Sequence, residues 1–134
     1  MKYWLVKSEP ETWSWAQQKK AQITHWDGVR NYQASNNLKS MRNGDLAYFY
    51  HSGADRKIVG IVKVVKEYYP DPSDATGRFG MVDLEFVEDL PRDLSLAEMK
   101  AQPELHHLAL IRQSRLSVMP IDETSWNLIY QQSC

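Results

Sequence analysis

A chain of 134 residues, 43% hydrophobic and 25% charged, suits one domain and excludes collagenous, low-complexity and repeat architectures. No stretch approaches the roughly 18 consecutive apolar residues of a helical membrane span. The opening MKYWLVKSEPE is too briefly apolar and too soon acidic for a secretory signal, so a cytoplasmic protein, nuclear in a eukaryote, is expected. The lone cysteine, Cys134, excludes an internal disulfide and a cysteine-based metal site. Net charge is −1, but residues 1–66 carry eleven Lys and Arg against five Asp and Glu, and residues 67–134 carry five against twelve. A basic first half can guide an anionic partner to one face.

Tyr3–Val6, apolar with aromatic and β-branched members, reads as a strand. Pro10 ends it, and Thr12 or Ser14 caps a short helix through Lys20. Gly28 breaks the chain before a helical segment, Val29–Met41, with Tyr32, Leu38 and Met41 on its inner face. Asn43-Gly44-Asp45 is a turn, after which Leu46, Tyr48 and Tyr50 alternate with Ala47, Phe49 and His51 in a strand of period two. Ser52–Asp55 turns into a long strand, Lys57–Tyr69, in which Gly60 marks a bulge or a close approach. Pro70–Gly80 reads as a loop and Met81–Val87 as a strand. The capping-box pattern SLAE from Ser95 starts a helix that ends near Gln102, before Pro103. Arg115–Ile121 reads as the last strand and Thr124–Gln132 as the last helix. Short helices around a mixed or antiparallel sheet, curled into a small barrel, give an α+β fold and one domain.

Thr24–Asn37, THWDGVRNYQASNN, gathers an indole, a cation and four side-chain amides around one glycine. Amides offer a donor beside an acceptor, as the edge of a nucleobase does, and an indole face is a stacking platform. Trp26, in a loop beside a helix start, is the leading pocket residue, with a packing role as its alternative. Arg30 at a helix start suits a phosphate. Asn31 suits a base edge or else a capping role, and Gln33 a base edge or solvent. Along the strand, Tyr48 and Tyr50 share a face with Ser52, and Phe49 shares the other with His51; one set is core and the other lines a cleft. His51 beside Ser52 cannot pair with it as base and nucleophile without a bend, and the better reading of His51 is structural. Adjacent His106 and His107 lack a third ligand at metal spacing. Trp4, Trp13, Trp15 and Trp126 read as packing residues.

YWLVKSEP at Tyr3–Pro10, WDGVRNYQA at Trp26–Ala34, GDLAYFYHS at Gly44–Ser52, IVGIVKVV at Ile58–Val65 and RLSV at Arg115–Val118 together resemble the EVE domain. The likeness spans almost the whole chain in order. It implies a PUA-like fold related to the ASCH and YTH domains, a small mixed or antiparallel β-barrel surrounded by short helices. It implies no catalytic residue, metal or cofactor. The implied partner is nucleic acid, DNA or RNA, through a modified base, notably a modified cytosine in DNA, held in an aromatic and polar cleft. On this likeness Ser8 becomes a hydrogen-bond partner at the cleft mouth. Lys7, with Arg30 and Lys39, meets the phosphate backbone. Tyr50, His51, Ser52, Arg115 and Ser117 join the ligand set, Arg115 facing either a carboxylate of the fold or a phosphate. Phe79 stands where a tryptophan is expected. Two other classes remain: a small hydrolase or nuclease using His51, Asp27 and Glu9 with Lys7, and a protein-interaction domain.

Overall fold

The computed structural model of the chain describes residues 1–134. The strands are β1 (Tyr3–Ser8), β2 (Ile23–His25), β3 (Leu46–His51), β4 (Lys57–Pro70), β5 (Gly80–Ser95) and β6 (Val118–Ile121). The helices are α1 (Trp15–Ala21), α2 (Tyr32–Ser40), α3 (Leu96–Lys100), α4 (Ala109–Arg112) and α5 (Glu123–Ser133), with a 3₁₀ turn at Pro103–Leu105. The strands form one sheet in the order β2-β5-β4-β3-β1-β6, in which β1 and β3 run parallel and every other pair is antiparallel. No ladder joins β2 to β6, so the sheet curls without closing and is a barrel only loosely.

Local chemistry sets most helix starts. Ser14 and Ser95 each close a capping box, with Gln17 and Glu98 respectively. Asn31 caps α2 by accepting from the Ala34 N–H, and Asp122 caps α5 by accepting from the Ser125 N–H. The core is continuous, running from Leu5 and Val6 through Tyr48 and Phe49 to Ile58, Val62, Leu84 and Met119. Tyr48 lies flat on Trp126, with ring centroids 3.8 Å apart, and its hydroxyl donates to the Trp126 carbonyl at 2.8 Å. Gly60 is both a bulge and a close approach. The β4–β5 register shifts between Ile58 and Gly60, and a Cβ there would enter the Trp15 ring.

Several boundaries differ from the sequence reading. Tyr32 is exposed, at 61%, while Leu38 and Met41 are buried as expected, because α2 starts only at Tyr32 and its first turn leans outward. The fifth strand continues past Val87 to Ser95. Pro91 is accommodated because residues 90–93 have no partner across the register break with β4. The last strand starts at Val118, since the Leu116 N–H closes a turn onto the Gln113 carbonyl. β2 and α4, three and four residues long, are too short for any periodicity to announce them.

Candidate functional site

A cleft of about 430 Å³ opens where the end of β1 meets the loop between β2 and α2. Lys7, Ser8 and Glu9 line it from β1 and the residue beyond, Thr12 and Trp13 from the loop before α1, Thr24 through Asn31 from β2 and the following loop, and Ser117 from the turn before β6. β2 is at one edge of the strand order and β1 is next to the other, so only the curl of the sheet brings these residues together.

Two indoles stand in its wall. Trp26 is 8% exposed and meets Phe49 edge to face at 5.5 Å, and its backbone N–H donates to the Val82 carbonyl at 2.8 Å. Its indole N–H has no partner in the chain and is not buried. Trp26 is thus a core residue and a cleft residue at once. Trp13, read from sequence as a packing residue, does pack against the core, and it also lines the cleft, a role that the sequence reading did not give it. It is fixed at both ends: the Ser8 hydroxyl donates to its carbonyl at 2.6 Å, and its indole N–H donates to Oε1 of the fully buried Gln18 at 2.8 Å. The sequence signal for it was its place two residues before a helix, after a proline.

The loop Trp26–Asn31 is held by one carboxylate. Asp71, buried, accepts from the Gly28 N–H at 2.9 Å, from Arg30 Nη1 at 3.1 Å, and from the Ser73 N–H and hydroxyl at 2.8 and 2.6 Å. Burial alone would raise its pKa. The Ser73 hydroxyl, the two backbone N–H groups and the Arg30 guanidinium outweigh burial and bring it down to about 2. Gly28 sits at φ +77°, a left-handed conformation that costs a residue with a Cβ, and this turn points its N–H at Asp71.

This arrangement changes what Arg30 does. Its guanidinium also donates to the Ser73 hydroxyl and lies over the Phe79 ring, so it is a strut between the two loops. Phe79 packs on Tyr32 at 5.0 Å and does not line the cleft. Lys7 reaches the cleft, but its Nζ donates to the Ser114 carbonyl at 3.0 Å, and burial pulls its pKa down. Lys39 lies elsewhere, over the Tyr68 ring. Asn31 spends its Oδ1 on the helix cap, leaving its amide NH₂ without a partner. The Ser117 hydroxyl is likewise unengaged at the cleft wall.

Gln33 and Arg115 line a neighbouring depression instead of the cleft, and Tyr50, His51 and Ser52 line neither. Both faces of β3 are covered, so Tyr50 and His51 are buried rather than one of them lining a cleft. His51 Nε2 accepts from the Trp15 backbone N–H at 2.9 Å, and Nδ1 meets Asp55 at 3.2 Å, which makes it the structural histidine. His25 is the cleft histidine, and sequence reasoning passed over it. Its Nδ1 meets Asp83 at 2.8 Å and the Tyr69 hydroxyl at 2.9 Å, leaving Nε2 without a partner in the chain. A larger concavity of about 720 Å³ lies between the N-terminus and Asp122. Three of its polar side chains are spent internally, Trp4 on Asp45 (3.0 Å), Asn37 on the Val118 carbonyl (2.7 Å) and His107 on Asp122 (2.7 Å).

A curled six-stranded sheet with short helices packed around it is a PUA-like fold, the class that also includes the YTH fold. The YTH domain of MmI1 superposes with a TM-score of 0.59 at 17% identity, over 98% of this chain and 94% of that one, which is a likeness of fold alone. The chain belongs to the EVE domain family, whose model matches residues 2–132. Thymocyte nuclear protein 1 of Rattus norvegicus is 37% identical over 95% of this chain and 71% of its own length. A protein of Rhodopseudomonas palustris is 45% identical with a TM-score of 0.93, covering 99% of this chain and 93% of that one. The human THYN1 protein, solved in complex with 5-methylcytosine-containing DNA, has a TM-score of 0.93 at 34% identity, covering 99% and 98%. No helix here is long and apolar enough to cross a membrane.

Proposed function

We propose that this chain is a single, non-catalytic EVE domain that binds nucleic acid by taking one modified base, a modified cytosine in DNA, into the cleft lined by Trp13 and Trp26. The observation that carries the reading is that two indoles line one cleft beside unspent polar groups: the Trp26 indole N–H, the Asn31 amide and the Ser117 hydroxyl. Planar rings stack on such faces, and a few polar groups suffice to orient a small ligand. Extracting a base from a duplex costs a few kcal/mol, least where the base is modified or single-stranded. The human relative bound to 5-methylcytosine DNA supports the same ligand class for this chain. The competing enzyme reading draws on His51, Asp27 and Glu9 with Lys7. The last three line the cleft, but His51 lies outside it with both ring nitrogens engaged, 2.9 and 3.2 Å from their partners, so the set is not assembled in one site.

The test is an intrinsic tryptophan fluorescence titration against short oligonucleotides carrying cytosine, 5-methylcytosine, 5-hydroxymethylcytosine or methylated adenine. Saturable quenching by a modified-cytosine oligonucleotide is expected. Trp26→Ala and Trp13→Ala should each weaken it by about 5- to 150-fold, the equivalent of roughly 1–3 kcal/mol of stacking per base. A flat response across the panel with folded protein refutes the proposal.

A further inference from the structure

We propose that the depression beside the cleft, formed by the α4–β6 turn and the start of α2, is the seat of a phosphate flanking the bound base, with Arg115 as its principal cation and Arg112 as its second. The inference rests on the base-binding reading above and goes beyond it by fixing the path of the backbone. The depression, of about 310 Å³, shares Asn31 with the cleft and is otherwise lined by Gln33 and residues 112–116. A strand whose base occupied the cleft would therefore have its adjoining phosphate within this second hollow.

Charge decides between the available cations. Arg30 is neutralised by buried Asp71 at 3.1 Å, and the half-buried Lys7 is committed to the Ser114 carbonyl at 3.0 Å. Two carboxylates, Glu9 and Asp27, line the cleft itself and repel a phosphate. The depression is lined by no carboxylate. Arg30 and Arg92 are the arginines with carboxylate partners, so the exposed Arg115 guanidinium is unpaired; Arg112 spends only its Nε, on the His106 carbonyl at 3.1 Å. A guanidinium fork bonds phosphate oxygens two at a time, and the Gln33 amide adds a neutral donor. The turn that carries Arg115 is fixed from both sides, by the Leu116 N–H on the Gln113 carbonyl (3.1 Å) and by Lys7 on Ser114. Lys7 thus acts in backbone binding as a positioning residue for the turn.

The experiment compares wild type, Arg115→Gln, Arg115→Lys and Arg112→Gln/Arg115→Gln. Each is titrated with a 12-nucleotide single strand carrying one central 5-methylcytosine, and separately with the nucleoside 5-methyldeoxycytidine, between about 50 and 200 mM salt. Each phosphate contact contributes about 0.7 to the slope of log affinity against log salt for a single strand. Loss of both arginines is expected to flatten that slope by about 0.7, one phosphate's worth, with Arg115→Gln alone giving most of that change. Arg115→Lys should keep the slope, and the loss should be confined to the ligand that carries phosphates. An unchanged slope in the double variant, with the oligonucleotide still bound, overturns this inference and leaves the base reading standing. Equal loss of nucleoside and oligonucleotide affinity in Arg115→Gln overturns it too, since Arg115 would then act on the cleft. Failure of wild type to bind either probe overturns both.

Discussion

Replacing Asp71 by Asn tests whether one buried carboxylate holds the cleft loop. Asn has the same shape but cannot ionise, and it leaves Arg30 without its counter-charge. The carboxyl is shifted from an ordinary 3.8 to about 2 in the fold. At roughly 1.4 kcal/mol per pKa unit, that is about 2 kcal/mol of stability held by the ionised form. A carboxyl with a depressed folded pKa stabilises above its unfolded value and loses that contribution as pH falls through its folded one. The contribution is therefore complete above about pH 5, about half remains at pH 3, and most is gone by about pH 2. Asp74 and Asp122 are also held at about 2, so wild type is acid-sensitive at several sites, and only the difference between variant and wild type isolates Asp71. Urea denaturation of both proteins, followed by tryptophan fluorescence from about pH 7 down to pH 3, measures that difference. Asp71→Asn should be less stable by about 2 kcal/mol at neutral pH, with a gap that closes to about half at pH 3. A gap of constant size at every pH would refute the electrostatic account, because the lost stability would then come from packing or hydrogen-bond geometry alone.

Two further substitutions separate the scaffold from the site. Gly60→Ala drives a methyl group into the Trp15 ring and should cost about 1–3 kcal/mol in urea denaturation; an unchanged midpoint would mean that Trp15 can move aside. His51→Ala strips the acceptor from the buried Trp15 N–H and should cost about 1–3 kcal/mol, while oligonucleotide affinity measured on the folded fraction stays at the wild-type level. Affinity lost with intact folding would return His51 to the ligand set.

Elements whose causes are local are legible in the residues alone. The Ser95 capping box, the Asn-Gly turn before β3 and the strand Leu46–His51 all act within a few residues and appear where the pattern placed them, and Ser14, one of two candidate caps, starts the first helix. The alternation along Leu46–His51 did not foretell that both of its faces are buried. The family motifs run through the chain in order and drew attention to Trp26, Ser8, Asn31, Lys7, Arg30 and Ser117, six residues that the fold brings to one cleft. What the sequence did not display was how those side chains are spent. The Arg30–Asp71 pair spans 41 residues, and the hydrogen bond from Lys7 to Ser114 spans 107. Neither separation leaves a periodic or compositional trace, so two free cations of the sequence became struts. Trp13 followed the same logic in reverse, because its place in the cleft depends on Gln18 and Ser8 holding its two ends. The curl of the sheet then decided the rest. Only that tertiary bend brings β2, at one edge of the strand order, against the end of β1 near the other, and the cleft exists because hydrophobic burial of the shared core favours the curl over a flat sheet.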